Sequence, residues 1–357
     1  MYEWFHRNFL SKMDPEKAHN LALYALKIRG PMLAKGVPAD ERLRTKVAGI
    51  QFSNPLGMAA GFDKKAEVFP ALFRLGFGHV EVGTTTLFPR KGKPKPRIWR
   101  LPNNELFNSM GLPGPGVDQV VVNILKRRGS TGVLGASISP TNEDFYHLED
   151  YEIIKTLFHR LHMYVDYITI NISCPNVNEE GIYNVKKILE TISNEKKYRF
   201  DKDIPVFVKL RPPVSFEVVG VGKKPIIEFN PDPLKYLIDV FLKYNISGVI
   251  LSNTLGDVRE IDGKQVHGGR SGPFLAEYNL EAVRTAYNHS GGELSIIGVG
   301  GIESAEDMFE YIANGASLVQ LYTGFVNHGP RLPAKILTEM LDKLGERNIS
   351  EIVGMWS

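Results

Sequence analysis

Eight short apolar segments, separated by stretches of helical periodicity, constrain the fold of this chain more than any other feature. They run over Pro55–Gly61, His79–Thr85, Gly132–Ser137, Tyr167–Ser173, Pro205–Leu210, Gly248–Ser252, Ser295–Val299 and Leu318–Tyr322. Most are continuous apolar runs and not alternating ones, the pattern of parallel strands covered on both faces. Amphipathic stretches at Asp232–Lys243, Leu280–Tyr287 and Ser304–Ala313 lie between them. The last opens with Ser304 and Asp307 at capping-box spacing. Eight such units predict an α/β fold, a (β/α)8 TIM barrel. The alternative is an open doubly wound sheet. It is disfavoured because no G-x-G-x-x-G follows the first strand and no phosphate-binding P-loop is present.

The first residues read differently. Residues 1–38 form a helical extension ahead of a barrel over 39–357. Tyr2, Trp4, Phe5, Phe9, Leu10 and Met13 recur near helical spacing. Asp14-Pro15-Glu16 then makes a good helix start, with Asp14 as cap and Pro15 in the first turn. Ala18, Leu21, Ala22, Tyr24, Ala25 and Leu26 carry that helix to about Arg29, where Gly30-Pro31 is expected to end it. Two short helices of this kind are either a packing extension over one end of the barrel or an apolar anchor on a membrane surface.

Composition excludes several function classes. One cysteine leaves no disulfide framework, no Cys-rich zinc site and no four-cysteine cluster within the chain, and no metal site is expected. A net charge of +3 does not resemble a nucleic-acid binder. No apolar run approaches a bilayer span, and Glu3, His6, Arg7, Asn8 and Lys12 break up any secretory signal core. The expected location is therefore cytoplasmic, with any membrane contact peripheral.

In a barrel of this type chemistry gathers at the C-terminal ends of the strands. Here those ends carry Ala59-Ala60-Gly61-Phe62-Asp63-Lys64, Gly83-Thr84-Thr85-Thr86, Ser137-Ile138-Ser139, Asn171-Ile172-Ser173-Cys174-Pro175-Asn176, Lys209, Ser252-Asn253-Thr254, Gly298-Val299-Gly300-Gly301 and Tyr322-Thr323-Gly324-Phe325. Such residues singly are ordinary turn formers. All eight ends together, two of them with lysines, point to a ligand site. Gly300-Gly301 ahead of the Ser304 helix, with Gly324, has the form of a phosphate cradle. Gly268-Gly269-Arg270-Ser271-Gly272 lies in the loop after the sixth strand and is placed to close over the same group. A lone cysteine is ordinarily a small buried hydrophobe. The polar, loop-positioned setting of Cys174 points instead to proton transfer. Lys64 and Lys209 either reach solvent at the rim or stand where an ammonium needs an anionic partner.

These motifs resemble the dihydroorotate dehydrogenase family. The resemblance runs from about Asp14 to about Pro330. It rests on Asn54-Pro55-Leu56-Gly57 with Ala59-Ala60-Gly61-x-Asp63-Lys64, Gly83-Thr84, Asn108-Ser109-Met110-Gly111, Asn171-Ile172-Ser173-Cys174-Pro175-Asn176, Val208-Lys209, Ser252-Asn253-Thr254, Gly268-Gly269-x-Ser271-Gly272, Gly298-Val299-Gly300-Gly301-Ile302 and Tyr322-Thr323-Gly324-Phe325, in that order. It implies an FMN-dependent oxidoreductase of pyrimidine (UMP) biosynthesis that converts dihydroorotate to orotate. The implied phosphate site is Gly272, Gly300, Gly301, Tyr322 and Thr323. Ala60, Gly61, Lys64, Thr84, Ser137, Asn171, Lys209 and Ser252 would surround the flavin ring and ribityl chain. Lys64, Asn108, Ser109, Met110, Gly111, Leu112, Asn171, Asn176, Asn253 and Thr254 would hold the substrate, the amides matching the carbonyl and N–H edges of a pyrimidine ring. Cys174 would take the C5 proton as a hydride passes from C6 to the flavin, and Lys209 would stabilise the reduced ring.

The Asp14-Pro15-Glu16-x-Ala18-His19 stretch is similar to the membrane-associated, quinone-reducing class. It implies a quinone path past His19, Arg100 and Tyr322, and peripheral contact with the cytoplasmic side of a membrane through the N-terminal helices. No nucleic acid and no obligate protein partner are expected. Three features depart from that class. Cys174 stands where it normally has serine, as in the soluble classes. Ser137-Ile138-Ser139-Pro140 replaces a segment with a flavin-contacting asparagine. Val177-Asn178-Glu179-Glu180-Gly181 lacks the usual continuation of the substrate loop. The same flavin barrel with fumarate or NAD as acceptor, or with another dihydropyrimidine-like substrate, is the alternative. A flavin barrel acting on RNA uridines would use the basic stretch from Arg90 to Arg100, but that stretch is broken by prolines and lacks interleaved stacking aromatics. A barrel that has lost catalysis is countered by Cys174, Lys209 and the asparagines.

Overall fold

The computed structural model describes residues 9–33, 38–127, 129, 131–140, 148–172, 179–199, 203–217 and 226–357. In chain order these form α1 (Pro15–Leu33), β1 (Thr45–Val47), β2 (Ile50–Phe52), β3 (Leu56–Met58), α2 (Phe69–Arg74), β4 (His79–Thr85), β5 (Ile98–Leu101), β6 (Glu105–Asn108), α3 (Val117–Leu125) and β7 (Val133–Ile138). There follow α4 (Asp150–Leu161), β8 (Tyr167–Asn171), α5 (Glu179–Arg199), β9 (Val206–Lys209), β10 (Val214–Glu217), β11 (Ile226–Phe229), α6 (Asp232–Lys243), β12 (Gly248–Leu251), β13 (Leu255–Ile261) and β14 (Lys264–Ser271). The chain closes with α7 (Ala276–Ser290), β15 (Ser295–Val299), α8 (Ala305–Ala313), β16 (Leu318–Leu321), α9 (Thr323–His328) and α10 (Leu332–Leu344).

All eight expected strands form. They pair in parallel in the order β3-β4-β7-β8-β9-β12-β15-β16, and β16 returns to β3 through Val319↔Leu56 to close the barrel. Closure excludes the open doubly wound sheet. It also explains the continuous apolar runs, because each strand faces two cores. One core lies between strands and helices and includes Leu56, Val80, Ile168, Val208, Leu251 and Val319. The other fills the barrel with Tyr167, Phe207, Ile250, Ile297 and Leu318. The β1–β2 hairpin adds Val47 and Phe52 to that inner core. Phe52 stands edge-on to His79, the first residue of β4, at 5.5 Å, so the hairpin plugs the N-terminal end of the barrel.

A second sheet covers the opposite end. It has the order β13-β14-β6-β5 and is built from the segments that follow β4 and β12. The glycine cluster at 268–272 therefore belongs largely to a strand, Gly269 pairing with Asn108 and Ser271 with Leu106, and not to a loop.

The helix predicted over 232–243 matches α6, and Leu280–Tyr287 lies inside the longer α7. Ser304 caps α8 with both bonds of the capping box. At the N-terminus Asp14 does cap α1, its Oδ1 accepting from the Lys17 N–H at 2.9 Å. The helix then runs through Gly30-Pro31 to Leu33 instead of stopping there. Proline's clash with the preceding residue is relieved when that residue is glycine and has no Cβ. Of the first expected helix, a single 3-10 turn at Leu10–Lys12 is described; residues 1–8 lie outside the described residues.

Candidate active site

The loop after β3 sets the first wall of the site. Asp63 is buried, and its carboxylate accepts the N–H groups of Glu67, Val68 and Phe69 at 2.7–2.8 Å. Burial raises its pKa even so. This closed turn fixes the neighbouring Lys64, whose Nζ donates to the Gly61 carbonyl. Burial pushes the Lys64 ammonium down to about 8, and the Glu16 carboxylate of α1 opposes that shift. Lys209, at the end of β9, is also shifted down by burial, with the Glu81 carboxylate acting the other way.

Both lysines line one cavity of about 330 Å3 at the C-terminal mouth of the barrel, under the cover sheet. Every barrel strand except β7 contributes to its wall directly or through the loop that follows: Ala59 to Gly61, Thr84, Asn171, Lys209, Ser252 to Thr254, Val299 to Glu303, and Leu321 to Gly324. The cover sheet and its flanking segments add Ile98, Leu106, Asn108, Met110 to Pro113, Ser271, Gly272 and Leu275. The chain thus brings together residues as far apart as Ala59 and Gly324.

The amides of Asn171 and Asn253 are tied to each other, and that of Asn108 to the cover sheet. The Asn171 Nδ2 donates to Thr84 Oγ1 at 3.2 Å, and Thr84 Oγ1 lies 2.9 Å from Ser137 Oγ. The Asn253 Nδ2 reaches Asn171 Oδ1 at 3.5 Å, while Asn253 Oδ1 accepts the Thr254 N–H at 2.8 Å. Asn108 donates to the Gly269 carbonyl at 3.1 Å. Ser137 therefore stands behind Thr84 and not on the cavity wall. Ser109 also misses the wall: its hydroxyl donates to the His267 carbonyl and accepts from Lys93. Cys174 and Asn176 lie outside the described residues.

At the other end of the cavity Gly300 and Gly301 have φ of +112° and +76°. A Cβ at Gly300 would meet Asn279 Nδ2 at 2.4 Å, and one at Gly301 would meet Ala276 Cβ at 2.7 Å. Glycine is required there on both counts. Two residues absent from the sequence expectation hold this turn. Asn279, fully buried on α7, donates to the Val299 carbonyl and accepts from the Ser252 hydroxyl, both at 2.7 Å. The Tyr311 hydroxyl donates to the Gly300 carbonyl at 2.6 Å. Nothing in their local sequence marks them, since both sit on the buried faces of ordinary helices. The start of α8 offers less to an anion than its position suggests, because the Asp307 carboxylate already accepts the N–H groups of Glu303 and Ser304.

The N-terminal helix meets the cavity through aromatic rings. His19 stands edge-on to Phe62 at 5.1 Å, and Phe62 stands edge-on to the wall residue Tyr322 at 5.8 Å. Burial pushes His19 down to about 4, assisted by the nearby Lys64 charge, and raises Tyr322 to about 12. Arg100 donates to the carbonyls of Leu10 and Met13, at 2.9 and 2.7 Å.

The sequence model of the family described as dihydroorotate dehydrogenase matches residues 42–344. The chain belongs to the dihydroorotate dehydrogenase family. Among similar dihydroorotate dehydrogenases, the quinone enzyme of Chelativorans sp. is 34% identical, over 97% of this chain and 94% of its own. The quinone enzyme of Parvibaculum lavamentivorans is 34% identical over 98% of this chain and 97% of its own, so that alignment takes in the N-terminal extension that precedes residue 42. The crystal structure of the Eimeria tenella dihydroorotate dehydrogenase in complex with ferulenol superposes with a TM-score of 0.79 at 27% identity, covering 96% of this chain and 95% of that one.

Proposed function

We propose that this chain oxidises dihydroorotate to orotate in pyrimidine biosynthesis and passes the electrons to a quinone. One observation carries the reading: a single cavity gathers two lysines, three tied asparagine amides and a glycine turn that leaves no room for a Cβ. Family membership and the quinone-enzyme relatives support it.

The donor set fits FMN. Lys209 is buried on the cavity wall, where its charge would face a flavin ring and a carboxylate substrate. Gly272, Gly300, Gly301, Tyr322 and Thr323 are the residues assigned to the phosphate. Ala60, Gly61, Lys64, Thr84, Asn171, Lys209 and Ser252 are assigned to the ring and ribityl chain, with Ser137 supporting Thr84. When bound, FMN supplies the hydride acceptor. The chain's own residues orient the substrate and move its proton. Asn108, Asn171, Asn253 and Thr254, with Asn176, Lys64 and the 110–112 segment that Ser109 anchors from behind, pair with the edges of the pyrimidine ring. Cys174 takes the C5 proton; its reference pKa of about 8.5 makes it a more accessible base near neutral pH than a serine hydroxyl.

Quinone reaches the site along α1 by His19, Phe62 and Tyr322, with Arg100 holding the preceding turn in place. The outward face of α1 exposes Leu21, Tyr24 and Ile28, with Phe9 and Met13 ahead of it. Among the described residues no helix is long and apolar enough to cross a membrane. An apolar stripe of this kind suits the interfacial layer of a bilayer. Residues 1–38 act in this reading as the quinone-admitting and membrane-contacting unit, and 39–357 as the catalytic barrel.

The test is anaerobic. Dihydroorotate should bleach the yellow protein, and a quinone should restore its colour faster than fumarate or NAD. Failure to bleach rejects the substrate; restoration by NAD or fumarate alone rejects the acceptor. Cys174→Ala should slow bleaching at least a hundredfold, and bleaching at the parental rate removes the base assignment.

A further inference from the structure

The eight barrel strands carry one acidic residue, Glu81, and one lysine, Lys209; no arginine occurs in them. Both lie in the barrel interior, and Glu81 is fully buried. One carboxylate oxygen of Glu81 accepts from Thr169 Oγ1 at 2.9 Å, from Gln320 Nε2 at 3.2 Å and, weakly, from the Tyr167 hydroxyl at 3.4 Å. The other oxygen, Oε1, has no hydrogen-bond partner. On β8, Thr169 is followed at the next inward position by Asn171, which is in register with Lys209 on β9. Lys209 therefore stands one layer above the Glu81 network, between it and the cavity.

A buried carboxylate that is only half satisfied requires a proton or a cation. The other titratable groups in the barrel interior are His79 on β4 and Tyr167 on β8. Burial pushes His79 down to about 3 and Tyr167 well up, so both are neutral at physiological pH. Among the described residues of the barrel strands Lys209 is the cation left for Glu81, and the Glu81 carboxylate acts on it against the effect of burial.

We propose that Glu81 is a positioning residue that keeps Lys209 charged beneath the cofactor, and through Lys209 sets the reduction potential of the bound flavin. This rests on the FMN reading above. Glu81 touches neither cavity nor substrate, and its effect passes wholly through Lys209.

Glu81→Gln is the informative variant. It retains an oxygen for Thr169, Gln320 and Tyr167, puts an NH2 in place of the unpartnered Oε1, and removes the charge. The midpoint potential of the bound flavin should fall, shifting its reduction equilibrium about tenfold toward the oxidised form, which is about 30 mV for a two-electron couple. In a Lys209→Met background the same change should lower the potential no further. If Glu81 were a distant negative charge, its removal would raise the potential; if it were a neutral acid, nothing would move. Either result overturns the proposal. A second arm needs no flavin. Across the parent, both single variants and the double variant, thermal unfolding should show that Glu81→Gln destabilises the parent but not the Lys209→Met chain. If Glu81→Gln alone fails to fold, the double variant should recover folding. Additive losses, or no recovery, overturn the proposal. A chain that takes up no flavin refutes the cofactor reading, and the unfolding cycle still decides the pairing.

Discussion

Glu16→Gln tests whether α1 is a separable quinone-admitting element. The Glu16 carboxylate takes two bonds from Arg97, at 2.7 and 3.1 Å, and lies 3.3 Å from the Lys95 ammonium. The Arg97 side chain is 8% exposed and that of Glu16 14%, so this pair is shielded from water. A glutamine keeps one acceptor, turns an NH2 toward the guanidinium, and leaves a buried cation without its counter-charge. Losing one charge-assisted bond costs about 1.5–3 kcal/mol, and breaking a buried pair about 3–5. Among the described residues α1 makes one further ion pair, Lys27 with Glu67, which is partly solvated and worth at most about 1 kcal/mol. A net loss of about 3 kcal/mol raises the population of the opened helix about a hundredfold. Amide hydrogen exchange on the intact protein reads this directly. Exchange over Pro15–Leu33 should accelerate by about that factor, while the barrel strands keep their protection. Flavin reduction by dihydroorotate should stay within about twofold of the parent while reoxidation by quinone slows. Unchanged exchange in α1, or equal loss of both half-reactions, refutes the reasoning. The acid limb gives a second check. Burial alone would raise the Glu16 carboxyl, but the bonds from Arg97 and Lys95 outweigh it and hold the pKa below its ordinary 4.5. The stabilisation is therefore complete above 4.5 and is lost as pH falls through the lower folded value. Parent and variant should converge there.

Two further outcomes are expected. Gly301→Ala places a Cβ 2.7 Å from that of Ala276 at a positive φ, so flavin retained through gel filtration should fall at least tenfold, at a stability cost of about 1–3 kcal/mol; full retention would reject the cradle. His79→Phe should flatten the acid side of the stability curve. The buried imidazole has no partner on either nitrogen and a pKa near 3 against an ordinary 6.5, so the folded state resists protonation. Parental stability should decline below pH 6.5 by up to about 1.4 kcal/mol per pH unit from this group, and urea midpoints at neutral and mildly acid pH should show the variant spared that decline.

The barrel was legible in the chain because parallel strands buried on two faces must be apolar throughout, and that pattern survives without knowledge of partners. The glycine cradle and the strand-end asparagines were legible because strand ends in this architecture converge. The cover sheet was not. The burial of β13 alternates between exposed and partly buried residues after Leu255, and its charged stretches read as a loop until β14 pairs with β6, far away in sequence. Arg97 and Arg100 read as part of an exposed basic stretch, yet both hold the N-terminal segment, through side-chain contacts that span more than eighty residues. Asn279 and Tyr311 were silent for a similar reason, since a buried polar side chain on a helix declares nothing until its acceptor is in place.

Amino-acid order by itself determined the eight strands, the helix cap at Asp14 and the glycines that a crowded turn demands, because each follows from local sterics or from which faces must avoid water. Only the tertiary structure decided which lysine stands over which carboxylate, which asparagines hydrogen-bond to each other, and where α1 is fastened. Those depend on closure of the barrel, which sets strands hundreds of residues apart side by side and makes the energy of each buried charge a property of its neighbours.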